Sequence, residues 1–258
     1  MHDAPVYNHI QLELTSRCNL RCRTCIYGHY PERWVSTDLS SDVYDRVMDV
    51  APRTRSIHLQ GWGESLLRED CPELIARAKG AGLAVSISSN GSIMSSTLAR
   101  ALIQAGLDSM AFSFAGTSAA EQDPLRGDGS FEQAAEAVAV FTDSRPGSHP
   151  PVLMNYLLLR PLQSRLPRAF GLASRLGMDR FQVGHLIHPV APAQADWPAY
   201  GETMAGLRHW FWLRLSVLWY RTTLGLPSMK RQPTAVCPKN PLENIFIGAD
   251  GTVSPVLI

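Results

Sequence analysis

Long apolar runs, a one-sided charge and an ample supply of cysteine are all missing from this sequence. Each absence excludes something. No stretch approaches the ~18 consecutive apolar residues that a membrane-spanning helix needs. The nearest, Trp210 to Tyr220, is short and carries Arg214. The opening residues, MHDAPVYNHI, have neither the basic segment nor the apolar run of a secretion signal. These two absences predict a cytoplasmic protein that does not engage a membrane. The 24 Lys and Arg nearly balance the 23 Asp and Glu, for a net charge of +1. No cationic surface for nucleic acid or anionic lipid is therefore expected. Only five cysteines occur in 258 residues, and without an export signal they read as reduced thiols or metal ligands rather than disulfides. What is present is ordinary for a globular chain with a substantial core, 45% hydrophobic and 18% charged. The length suits one large α/β domain or one and a half ordinary ones.

Short β-rich runs alternate with amphipathic helical ones. Strands are expected at His9–Leu14, Ser56–Leu59, Leu83–Ser88, Ser109–Phe114, Val152–Leu159 and Arg180–Gly184. Between them, Leu39, Val43, Val47 and Val50 recur at helical spacing, and Pro72 opens a helix that buries Leu74, Ile75 and Ala78. Further helices are expected around 96–105, from Ser130 through Phe141 with Ser130 and Gln133 as a capping box, and over 166–176. Three helix-to-strand joints look alike: AGLA (81–84), AGLD (105–108) and LGMD (176–179). Each places a glycine where a helix end wants a left-handed residue. A βα unit repeated about six times gives a parallel sheet with helices outside, and six units suit a partial barrel better than a closed one of eight strands. In such a fold, functional residues lie at the carboxyl ends of the strands.

The stretch LTSRCNLRCRTCIYG follows the first strand and holds Cys18, Cys22 and Cys25 in the spacing C-x3-C-x2-C. A structural zinc site wants four protein ligands, so the loop falls one short unless His29 or Cys71 completes a zinc knuckle. A [4Fe–4S] cluster uses three thiolates and keeps its fourth iron open to another ligand. After the second strand comes QGWGES, after the third SSNG, and after the fourth SFAG followed by PLRGDGSF.

These motifs, taken in order, resemble the radical S-adenosylmethionine (SAM) superfamily over roughly residues 9–188. The resemblance implies an α/β fold, a partial (βα)6 parallel barrel, with Cys18, Cys22 and Cys25 binding a [4Fe–4S] cluster and SAM as the second cofactor. It implies SAM contacts at Tyr27 beside adenine, at Gly63 and Glu64 in a GGEP-like turn, at Asn90 in a TNG-like turn, and at Ser113 and Arg126. Ser65 departs from the family's usual proline. Asn155, a polar residue in the apolar run VLMNYLLL, is either a further adenosyl or substrate contact or a satisfied core amide. His185 and His188 read as a polar lip over the cofactor or as metal ligands, and His58 as a core residue. The implied activity is reductive cleavage of SAM to a 5′-deoxyadenosyl radical that abstracts hydrogen from a peptide or a cofactor or natural-product precursor. An electron donor such as flavodoxin or ferredoxin is implied as a partner. The alternative is a non-catalytic iron–sulfur or zinc-binding protein on the same fold.

The expected organisation is a core over 1–188, a proline linker and aromatic-rich helix over 189–232, and a closing segment over 233–258. That segment, CPKNPLENIFIGADGTVSP, has a hairpin turn at Ala249-Asp250-Gly251. It resembles the entry to a SPASM or twitch extension, where further cysteines bind auxiliary clusters. Cys237 matches the first of these, but Val256 stands where the next cysteine is expected. Truncation, loss of the auxiliary cluster and ligands from a partner chain all stay open.

Overall fold

The computed structural model describes residues 7–185, 223–225 and 244–255. Among these residues, nine strands form one sheet in the order β7-β6-β5-β4-β3-β2-β1-β8-β9. Six of them are Tyr7–Leu12 (β1), Thr54–Leu59 (β2), Ala84–Ser89 (β3), Ser109–Phe114 (β4), Val152–Leu158 (β5) and Arg180–His185 (β6). They are mutually parallel and adjacent in chain order. The short Thr223–Gly225 (β7) lies parallel to β6. Asn244–Ile247 (β8) lies parallel to β1 and turns back into the antiparallel Val253–Pro255 (β9). The two C-terminal pieces thus extend the two ends of the same parallel sheet. The aromatic stretch, His188, Cys237 and Val256 lie outside the described residues.

Ile26–His29 (α1) sits in the cysteine loop. Larger helices then follow the strands: Ser41–Asp49 (α2), Cys71–Gly80 (α3), Ser96–Gln104 (α4), Ala119–Arg126 (α5), Ser130–Ser144 (α6) and Leu166–Arg175 (α7). Sequential right-handed βα connections put such helices on one face of the sheet. One continuous core joins them to it, from Ile10 and Leu12 through Ile57, Val85 and Phe112 to Tyr156 and Phe170. The three repeated joints end in left-handed glycines, Gly82, Gly106 and Gly177, with φ of 86°, 89° and 67°.

Pro124 lacks a backbone donor, yet α5 forms around it and stops at Gly127. One local expectation gives way: Ser130 and Gln133 do not make a capping box, since Ser130 is already inside α6 and Gly129 is its N-cap. Asp123, from α5, takes over. Its carboxylate accepts from Gly129 N at 3.0 Å, Phe131 N at 2.9 Å and the Ser130 hydroxyl at 3.1 Å. A carboxylate at this positive helix end is favoured, and the hydrogen bonds, Phe131 N–H first, hold Asp123 below the usual range.

The other face of the sheet is polar. His58, between the buried Ile57 and Leu59, faces neighbouring strands rather than the helices. Its Nδ1 meets the Ser86 hydroxyl at 2.7 Å, and its Nε2 meets Gln60 Oε1 at 2.7 Å and the Ser88 hydroxyl at 3.1 Å. An amide oxygen only accepts, so Nε2 carries the proton.

Candidate functional site

The loops at the carboxyl ends of β1 to β4, with the end of α5, enclose a cavity of about 160 Å³. Cys18, Cys22, Cys25, Tyr27, Gly63, Glu64, Asn90, Ser113 and Arg126 all line it, together with Gln60, Trp62 and Ser88. These residues span more than a hundred positions of sequence, and the parallel topology brings them together. Asn155 does not line the cavity. It pairs with Ser113 across β4 and β5, one strand further along the polar face. β6 ends at His185.

The cysteine loop is docked, not free. Arg23 N donates to Leu125 O at 2.8 Å, and the Cys22 thiol meets Arg126 O at 3.8 Å, which ties the loop to the end of α5. Gly28 N donates to Cys25 O, and a Cβ on Gly28 would lie 2.3 Å from Cys22 O. Only glycine fits that contact. Tyr27 is buried against Trp34, with its hydroxyl donating to Cys18 O at 3.3 Å and the Arg21 guanidinium 4.2 Å over its ring.

Two acids organise the neighbouring loops. Glu64 is 3% exposed, and its carboxylate accepts from Asn90 N at 2.7 Å and Leu66 N at 3.3 Å. Burial pushes its pKa up, against those hydrogen bonds. Glu13, which the sequence reading passed over, caps β1. Its carboxylate accepts from Trp62 N at 2.6 Å, Gly63 N at 3.2 Å and Ala249 N at 3.1 Å. The available signal was the acid itself, inside the apolar run LELT. Gly63 packs so tightly on the loop base that a Cβ would lie 1.9 Å from Thr15 O.

The donor set fits an iron–sulfur cluster. Burial raises the Cys18 thiol to about 11 and also raises Cys25, and a cationic partner such as cluster iron would favour their thiolate forms. Leu20 N lies 3.4 Å and Asn90 Nδ2 3.9 Å from Cys18 Sγ, both placed to donate to a thiolate. The two further ligands considered for zinc sit elsewhere. Cys71 is fully buried in the hydrophobic core, and His29 Nε2 donates to Arg23 O at 2.7 Å. Among the described residues, no three His, Cys, Asp or Glu side chains converge as a single metal ion would require. Nor, among them, is any helix long and apolar enough to cross a membrane.

Comparison with known proteins agrees with this geometry. The family model for the radical SAM superfamily matches residues 12–162. The cofactor-modifying protein of a tungsten-containing aldehyde ferredoxin oxidoreductase from Pyrococcus furiosus is 26% identical over 73% of this chain and 54% of its own length. The PqqA peptide cyclase of Rhodopseudomonas palustris is 30% identical over 69% of this chain and 46% of its own. The chain thus spans about half the length of these relatives. In fold, it is similar to Streptococcus suis SuiB bound to S-adenosylmethionine, with a TM-score of 0.77 at 11% identity over 99% of this chain and 62% of that one. The chain belongs to the radical SAM superfamily, whose enzymes use a [4Fe–4S] cluster and S-adenosylmethionine.

Proposed function

We propose that this chain cleaves SAM reductively and directs the resulting radical at a peptide substrate. The observation that carries the reading is the single cavity shared by three thiols and the carboxyl-end loops of four strands. Cys18, Cys22 and Cys25 would hold the cluster. Bound there, it would supply the single electron for reductive cleavage of the SAM sulfonium into methionine and a 5′-deoxyadenosyl radical, which would take a hydrogen atom from substrate. The protein's part is position and exclusion of water.

The Gly61–Glu64 loop receives the SAM amino group, and Glu64 holds that loop against Asn90. Arg126 supplies a cation for a carboxylate. Tyr27, backed by Trp34, lies beside the adenine, and Ser113 offers a hydroxyl to the nucleoside. Asn155, one strand away on the polar face, faces substrate. An electron donor of the flavodoxin or ferredoxin kind supplies the reducing equivalent, and the setting is cytoplasmic. A peptide is favoured because one relative is a peptide cyclase and SuiB binds a precursor peptide.

Electron paramagnetic resonance of the reduced, reconstituted protein tests this reading. A cluster signal that changes shape on adding SAM is expected. A cluster indifferent to SAM overturns it.

A further inference from the structure

Glu13 lies outside the cavity, yet two loops depend on its carboxylate. It is 5% exposed, and its own N–H donates to Ile247 O at 2.9 Å. Oε1 takes the N–H groups of Trp62 and Gly63, and Oε2 takes that of Ala249 in the C-terminal hairpin. The contact is close enough to dictate a neighbour, since a Cβ on Gly61 would lie 2.3 Å from Glu13 Cγ.

The consequence follows from peptide geometry. Both peptides are trans, the one cis bond among the described residues being His149–Pro150. In a trans peptide the carbonyl points opposite to the N–H. Two successive N–H groups turned toward Glu13 therefore turn the carbonyls of Gly61 and Trp62 away from it, in a loop whose residues 61–64 line the cavity. An ammonium group needs such acceptors. A buried carboxylate just behind them adds a favourable field.

We propose that Glu13 is a positioning residue that aims the Gly61 and Trp62 carbonyls at a ligand ammonium and, through Ala249, makes that aim depend on the docked C-terminal hairpin. The inference rests on the reading of the Gly61–Glu64 loop as the site of the SAM amino group. It gives Glu13 and the hairpin a role in cofactor binding.

The test compares two unreactive ligands on anaerobically reconstituted protein: S-adenosylhomocysteine and its analogue lacking the amino group. Glu13→Gln keeps the side chain's size but sets an NH2 donor against an N–H. It is expected to weaken S-adenosylhomocysteine by about tenfold, the scale of one charge-assisted hydrogen bond, and to leave the deaminated analogue unchanged. Ala249→Pro removes the hairpin donor without touching Glu13 and is expected to give the same selective loss at smaller size. It carries the test should Glu13→Gln fail to fold. Equal weakening of both ligands, or of neither, overturns the proposal. Wild-type protein that binds the two ligands equally instead refutes the amine reading of the loop, and the proposal falls with it.

Discussion

Glu64 and Asn90 are joined by a 2.7 Å hydrogen bond from the Asn90 backbone N–H to Glu64 Oε2, with the two residues 3% and 7% exposed. The loops after β2 and β3 thus share one buried carboxylate. Asn90 in turn places its side-chain amide against Asn19 and the Cys18 sulfur. A single chain of contacts leads from the GWGES turn to Cys18, a proposed cluster ligand.

Removing that carboxylate is costly. Glu64→Ala leaves the N–H groups of Leu66 and Asn90 buried without their acceptor, and a loss of about 1–3 kcal/mol is expected. Glu64→Gln mimics the neutral acid that burial favours and should cost less stability, while still weakening SAM. Urea unfolding and SAM titration of both variants check this. Equal stability of the Ala variant and wild type counts against it.

Gly28→Ala drives a methyl into Cys22 O. The loop must shift, at a cost on the order of 1–3 kcal/mol. Iron bound per chain after reconstitution is expected to fall while the far-ultraviolet circular dichroism stays that of wild type. Full iron loading would show that the loop yields without penalty.

His58 predicts an acid-labile term. Burial holds its imidazole below the ordinary 6.5, so the fold favours the neutral form. The stability this contributes is complete above the unfolded value and is lost as pH falls through the folded one. Between about pH 7.5 and about pH 5, wild type should lose more stability than His58→Gln. Parallel slopes in urea unfolding would contradict this.

The cysteines should divide by place. Cys22→Ala abolishes the cluster and leaves the barrel folded, since its loop lies outside the hydrophobic core. Cys71→Ala does the reverse: full iron content, with a stability loss of about 1 kcal/mol for a small core truncation. Cys237→Ser leaves SAM cleavage intact. Iron analysis and thermal melts separate these outcomes, and iron loss on Cys71→Ala would reopen the question of a fourth protein ligand.

Much of this was legible in the residues. The Ser109–Phe114 strand has the bounds its alternation implies, and the glycine joints have the left-handed backbone their spacing asks for. The cysteine, glycine and Asn-Gly motifs could be placed around one site because each follows a strand in a parallel sheet. What stayed hidden depends on long-range partners. The apolar run through Leu14 extended the first strand, whereas β1 ends at Leu12 and Glu13 serves as a capping acid for distant backbone N–H groups. Local rules put a capping box at Ser130, and the Asp123 carboxylate overrides it.

The most direct test of the radical assignment is anaerobic. The protein is reconstituted with iron and sulfide, reduced and given SAM, beside a Cys18/Cys22/Cys25→Ala triple variant. The account predicts 5′-deoxyadenosine from the intact chain and none from the variant. A cluster that forms on the intact chain without yielding any 5′-deoxyadenosine would contradict it.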